Sequence, residues 1–203
     1  MHHIILIPSM VNLSKRKVGK RMDRRRLLLL GIVAIAIPLF IWLQFFEIPN
    51  KVEIGEERMQ QDPEQHEFEK VLSFENDYMG NASNISNLFG ALPLHQYKGT
   101  LALNPEHLSL TMNYEVSTDE LQGKAEQAVI YNTTAAFVLI HNLEEIEMHF
   151  QDHSYIVTRE NVAQWFGNDF QALLDPEVFK KEVQTPLVEG ETEKMLAAFM
   201  KGE

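Results

Sequence analysis

The sequence predicts an α+β fold: a small two-layer domain of antiparallel strands packed on helices, behind one N-terminal transmembrane helix. Three observations carry this. From Leu27 to Phe46 the chain reads LLLLGIVAIAIPLFIWLQFF, without a single charge. Within 108–116, Leu108, Leu110, Met112, Tyr114 and Val116 are apolar at every second place, the period of a strand with one buried face. Residues 124–142 present a helical apolar surface through Ala125, Ala128, Val129, Ala135, Ala136, Val138, Leu139 and Ile140.

The apolar segment sets the location. At about 1.5 Å of rise per residue it spans the roughly 30 Å hydrocarbon layer of a bilayer. Lys15, Arg16, Lys17, Lys20, Arg21, Arg24, Arg25 and Arg26 precede it and place the N-terminus in the cytoplasm by the positive-inside rule. Residues after Phe46 are then expected outside the cell membrane. Pro38 is tolerable within a bilayer, and Trp42 suits the outer interface. A cleaved signal peptide is the alternative, because Ala34-Ile35-Ala36 has the small-x-small pattern of a cleavage site. An apolar run this long favours a retained signal-anchor. Met10 and Met22 are alternative starts to Met1, and a chain from Met22 still keeps Arg24-Arg25-Arg26.

Charge divides along the same line. Residues 1–26 hold eight Lys/Arg and one acid, a net +7; residues 47–203 hold ten Lys/Arg and twenty-eight Asp/Glu, a net −18. The outer part therefore repels nucleic acid, whose phosphates require clustered cations. The absence of cysteine excludes disulfides, thiolate metal sites and a lipid-bearing Cys.

The organisation expected is a basic tail (1–26), the span (27–46), an acidic tether (47–66), a domain (67–184) and a fraying acidic tail (185–203). In the domain, Phe68, Val71, Leu72 and Phe74 lead in. Residues 76–81 form a turn in which Gly80 is free to take positive φ. Asn81 or Ser83 caps a helix carrying Ile85, Leu88 and Phe89, which Gly90 and Pro93 end. Strands follow at 97–103 and 108–116, joined by Asn104-Pro105-Glu106. After the long helix come strands at 145–150 and 154–158, joined by Gln151-Asp152-His153 as a hairpin. Thr158 caps a helix through Trp165 and Phe166, stopped by Gly167. Short helices at 170–174 and 177–183 flank Asp175-Pro176.

Motifs of catalysis are sparse. The chain has no Gly-rich phosphate loop, no G-x-S-x-G elbow and no H-E-x-x-H. His149, Asp152 and His153 offer two imidazoles and a carboxylate at one turn, but a solvated turn accounts for them better. His66, His95, His107 and His141 each lack a paired acid at a useful spacing and read as surface or edge residues. Glu144, Glu145 and Glu147 read as a solvated charge run, and Trp165 with Phe166 as core. N-x-[ST] triplets begin at Asn12, Asn81, Asn84 and Asn132 and read as coincidence. No cofactor or metal is expected.

Several stretches in order resemble a known family. They are Asp77-Tyr78-Met79-Gly80-Asn81-Ala82-Ser83, Leu92-Pro93, the strand ending Leu110-Thr111-Met112-Asn113-Tyr114, Phe137-Val138-Leu139-Ile140-His141-Asn142-Leu143, and Tyr155-Ile156-Val157-Thr158-Arg159-Glu160 with Phe166-Gly167. Together, over about 68–183, they resemble the domain of unknown function 4825, an extracytoplasmic module of Gram-positive bacterial membrane proteins. Met79 stands where the family pattern has a β-branched residue. The resemblance implies a module of no established activity, found behind one span or fused to membrane-embedded sensor metalloproteases.

The function expected is that of a single-pass anchored protein with an extracytoplasmic sensing or protein-interaction domain. A cell-envelope enzyme and a passive assembly factor of a membrane complex are the alternatives. Expected partners are the lipid bilayer, through Leu27 to Phe46, and another membrane or envelope protein. Tyr78, Gly80, Asn81 and Ser83 are the candidate contact residues, because a polar Gly-containing loop before a helix can offer backbone N–H groups. A turn and helix cap explains the same residues.

Overall fold

The computed structural model describes residues 23–43, 48–167 and 170–202, with backbone only for 48–53. The boundary between Asn50 and Lys51 separates two units, each taken by itself. In the first, α1 (Arg24–Trp42) is a helix of 19 residues in which none is buried. It is long and apolar enough to cross a membrane. Pro38 lies inside it, so one backbone N–H is missing from the ladder. The last residues of the expected span, 44–46, and the cations before Asp23 lie outside the described residues.

The stretch expected as an irregular tether contains α2 (Ile48–Gln61). Glu56, Glu57, Arg58, Met59, Gln60 and Gln61 are good helix formers, and acidity alone does not make a chain irregular. Pro63 and His66, also assigned to the tether, are buried in the second unit.

That unit is built on a four-stranded sheet in the order β1 (Lys98–Asn104), β2 (Ser109–Tyr114), β3 (Glu145–His149) and β4 (Ser154–Thr158). The outer pairs β1/β2 and β3/β4 are antiparallel, as expected of hairpins. The central pair β2/β3 is parallel, which corrects the wholly antiparallel expectation. The reason lies in the connection. Parallel neighbours need a long crossover, and α5 (Lys124–Leu139) supplies one. Where β1 meets β2, the register shifts between Lys98 and Leu101. A Cβ on Gly99 would lie 3.0 Å from the Asn113 carbonyl oxygen, so this irregular step needs glycine.

One face of the sheet is buried through Leu110, Met112, Tyr114, Ile146, Met148, Tyr155 and Val157. Against it lies α5, buried on every side from Ala128 to Leu139. Its Asn/Thr patch is fully satisfied as donors. Asn132 Nδ2 donates to the Pro93 carbonyl (2.9 Å) and to the Tyr114 hydroxyl (3.2 Å). Thr133 and Thr134 donate to the carbonyls of Val129 and Ile130, each at 2.7 Å.

The far side of α5 is covered by Phe68–Phe74, Phe170–Leu174 and the C-terminal helices, so a two-layer description leaves out a third layer. Phe68 stacks on Phe179 at 3.8 Å between ring centroids. The cover includes α7 (Pro176–Phe179), a π-helical turn (Lys180–Gln184), α8 (Thr185–Val188) and α9 (Thr192–Phe199). The tail expected to fray is therefore helical. Leu187, Met195 and Phe199 are buried, and each such side chain contributes about 2 kcal/mol through its burial.

Two of the remaining helices stand where expected, and one short helix is additional. In α3 (Ala82–Phe89), Ile85, Leu88 and Phe89 are buried. A short α4 (Thr118–Leu121) precedes α5. Thr158 caps α6 (Arg159–Phe166) by accepting from the Asn161 N–H, and Gly167 ends it at φ 79°.

Candidate functional site

The turn before α3 is pinned to the C-terminal end of α5. Asn76 N–H donates to the Leu139 carbonyl (2.8 Å), and His141 N–H donates back to Asn76 (3.0 Å), a single parallel bridge of strand type. Met79 N–H donates to Asn142 Oδ1 at 2.6 Å, and the Met79 side chain is wholly buried. Two stretches 60 residues apart in the chain, Asp77 to Ser83 and Phe137 to Leu143, thus come together, the second reaching the surface through His141 and Asn142.

Tyr78, Gly80, Asn81 and Ser83 are all exposed, Tyr78 at 70%. Gly80 does not take the positive φ expected of it, and a Cβ there would meet open space. Asn81 caps α3 by accepting from Asn84 N–H at 3.2 Å. Tyr78 N–H is accepted by Asn76 Oδ1, and those of Asn81 and Ala82 by the Tyr78 and Gly80 carbonyls. Most donors of the loop are therefore engaged within the chain, so a contact here falls to side chains, with Tyr78 foremost.

His141 joins this surface, although sequence reasoning leaves it without an acid. Its Nδ1 lies 2.8 Å from Asp77 Oδ1 and its Nε2 lies 3.1 Å from Glu75 Oε1. Both acids come from more than sixty residues upstream, which no local spacing reveals. A charged imidazolium donates to both carboxylates, and a neutral ring to one. With each ring nitrogen facing an acid, the ring is held between Glu75 and Asp77.

Removing the pin tests its weight. Asn142→Ala leaves the buried Met79 N–H without its acceptor. The variant is expected to lose about 1–2 kcal/mol of stability, read as a lowered urea midpoint and faster amide exchange confined to 76–83.

The residues of the expected hairpin disperse. His149 Nε2 lies 2.8 Å from Glu147 Oε1 without the alignment of a hydrogen bond. Asp152 accepts from Thr118 N–H and hydroxyl, each at 2.8 Å, and these bonds hold its carboxyl below the usual range. The His153 ring leans on Tyr155. Among the described residues, no group of three or more His, Cys, Asp or Glu side chains could hold a metal ion.

His66 is no surface residue. It is 2% exposed, its Nε2 lies 2.9 Å from the Ala91 carbonyl, and its Nδ1 lies 2.6 Å from the Tyr131 hydroxyl. The carbonyl can only accept, so Nε2 carries the proton and Tyr131 donates to Nδ1. Burial pushes the His66 pKa down to about 4 and raises that of Tyr131. His95 sits in a similar arrangement nearer the surface, donating to the Leu92 carbonyl and accepting from Gln61. His107 is exposed.

A cleft of about 660 Å³ opens at the start of α5, lined by Glu64, Lys124, Glu126, Gln127, Thr192 and Glu193 among others. Gly123, at φ 89°, brings the chain into α5 here. Lys124 pairs with Asp62 (3.0 Å) and Glu64 (3.1 Å), and Tyr155 donates to Glu126. The cation is already neutralised by these two acids.

No curated protein and no solved structure matches the chain. Residues 71–160 match the family model described as a domain of unknown function, DUF4825. The matched segment runs from Val71 through all four strands to Glu160, and so contains both the Tyr78 turn and His141. Over residues 71–160, then, the chain is similar to the DUF4825 family of domains, which supports the resemblance read from its sequence.

Proposed function

We propose that this chain is a single-pass membrane protein with its N-terminus in the cytoplasm and its folded domain outside, and that the domain senses or binds another molecule rather than catalysing a reaction. The observation that carries this reading is α1. Nineteen residues, apolar from Leu27 onward, form a helix with no buried residue, a form that is costly in water and stable in lipid. The basic residues before it support the orientation. Support for binding over catalysis comes from the sequence, which carries no Gly-rich phosphate loop, no G-x-S-x-G elbow and no H-E-x-x-H. Membrane-embedded or envelope proteins are the partners proposed, because an apolar helix of this length would hold the domain at a bilayer surface, where such proteins are its neighbours.

Protease protection tests it. In cells stripped of their wall, with a tag at each terminus, external protease is expected to remove the C-terminal tag and spare the N-terminal one. Survival of the C-terminal tag would place the domain in the cytoplasm. Release of the domain into the medium would make residues 27–46 a cleaved signal.

A further inference from the structure

The sheet has a second face, opposite α5, whose side chains are exposed or partly exposed among the described residues of this unit. Register and side-chain alternation arrange it in three cross-strand rows. The first is Asn104, Ser109, Glu145 and Thr158; the second is Ala102, Thr111, Glu147 and Ile156. The third runs Thr100, Asn113, His149 and Ser154, its first step closed by Asn113 Nδ2 donating to the Thr100 hydroxyl. All twelve side chains are exposed or partly exposed. Most are short and polar, so the face is flat and wet, with hydroxyl and amide groups free of long side chains.

Its acidic groups lie along the middle, with the His149 ring beside Glu147 at 2.8 Å. Glu145 and Glu147 are successive outward residues of β3, about 6.6 Å apart by strand geometry. One cation is already seated here. Lys201 Nζ lies 2.6 Å from Glu145 Oε2, while its side chain remains 54% exposed. An exposed pair of this kind is worth little and exchanges readily.

The geometry points to this open face as a docking surface for an extended, basic segment of a partner protein. Cations at every second residue of an extended chain recur at the same spacing of about 6.6 Å, so Lys-x-Lys or Arg-x-Arg laid along β3 meets Glu145 and Glu147 together. The flanking Thr111, Asn113 and Ser109 would receive the polar groups between. A second copy of this domain is disfavoured, since it would set the same carboxylates against each other, and phosphate-bearing ligands are repelled. Lys201 occupies half of the site and competes with the partner. This inference deepens the binding reading but does not depend on membrane topology.

The test uses the full chain in nanodiscs of zwitterionic lipid and two fluorescent peptides of equal charge. One alternates Lys with Thr; the other places its Lys in a single block. The alternating peptide is expected to bind more tightly. Glu145→Gln with Glu147→Gln should weaken it about tenfold, while Glu69→Gln with Glu177→Gln, on other surfaces, should change it less than about twofold. Lys201→Ser should tighten binding. Thr111→Lys, a change at a partly exposed position that leaves both acids in place, should weaken it through like charge. Equal loss in the two double variants, or equal binding of the two peptides, would mean a general attraction to an acidic domain and would overturn the proposal. Absence of binding would overturn it as well. Because the binding assay is indifferent to which side of a membrane the domain occupies, its failure is separable from a failed protection experiment.

Discussion

Arg159→Met is expected to destabilise the domain by about 3–4 kcal/mol, a large share of a typical domain's stability. The guanidinium sits at the end of α5, where the last carbonyls of a helix have no partner within it. Its Nε donates to the Leu143 carbonyl (2.6 Å), and its Nη2 donates to those of Phe137 (2.6 Å) and Ile140 (2.5 Å). The side chain is only 14% exposed and lies against the rings of Phe137 and Phe170. Burial lowers its pKa from the ordinary value, and Glu144, 4.0 Å away, acts in the opposite sense; a guanidinium remains charged throughout. Methionine would fill much of the space but would take the guanidinium from the Phe137 and Leu143 carbonyls and leave that of Ile140 with only the Leu143 N–H (3.2 Å). Arg159→Lys should recover only part of the loss, because an ammonium cannot span three carbonyls in one plane. Urea denaturation of the detergent-solubilised chain, followed by tryptophan fluorescence, measures both. Equal midpoints for wild type and Arg159→Met would show that water replaces the guanidinium at no cost.

The second large effect is a loss of stability in acid. His66 is neutral in the folded domain with a pKa near 4, against an ordinary value of 6.5. Above pH 6.5 neither the folded nor the unfolded state protonates it, and it contributes no pH dependence. As pH falls from 6.5 towards 4, the unfolded chain takes up a proton that the folded domain refuses, so stability declines across that window. Below about pH 4 both states are protonated and the decline stops. The full span is about 3 kcal/mol. His66→Gln keeps a polar side chain without an imidazole and should flatten the stability curve between pH 6.5 and 4, relative to wild type, even if its stability at pH 7 is lower. Parallel curves would mean that His66 titrates normally.

Much of the architecture can be read from the chain, for reasons that differ by element. β3 and β4 are short alternating runs around a polar turn, and Thr158 and Gly167 bracket α6 with ordinary cap chemistry. The parallel pairing of β2 with β3 escaped because alternation reports which face is buried and not which neighbour a strand selects. The 16-residue helix between them was the available signal. The last helix was hidden by its acidic surroundings, although Met195, Leu196 and Phe199 already carry helical spacing. At the candidate site, the Tyr78 turn and the Asn81 cap are local and legible. The Glu75–His141–Asp77 cluster is assembled across the fold, and so is the buried His66–Tyr131 pair. Arg159 was visible only as part of a resembling stretch. A lone arginine after a capping threonine gives no hint that three carbonyls at and just beyond the end of another helix await it.

The polar band inside α5 has a bearing on how the molecule is made. On the proposed topology, the chain must pass unfolded through the export channel after its first helix has been retained. A segment that ends up sealed inside the domain is at that moment tested for partition into lipid. Asn132, Thr133 and Thr134, with Lys124 and Glu126 nearby, tell against lateral escape. The same three polar side chains are later hydrogen-bonded within the folded domain. Replacing them with aliphatic residues would pack well yet offer the translocating chain a second place to stop, so one helix has been written to satisfy two solvents in succession.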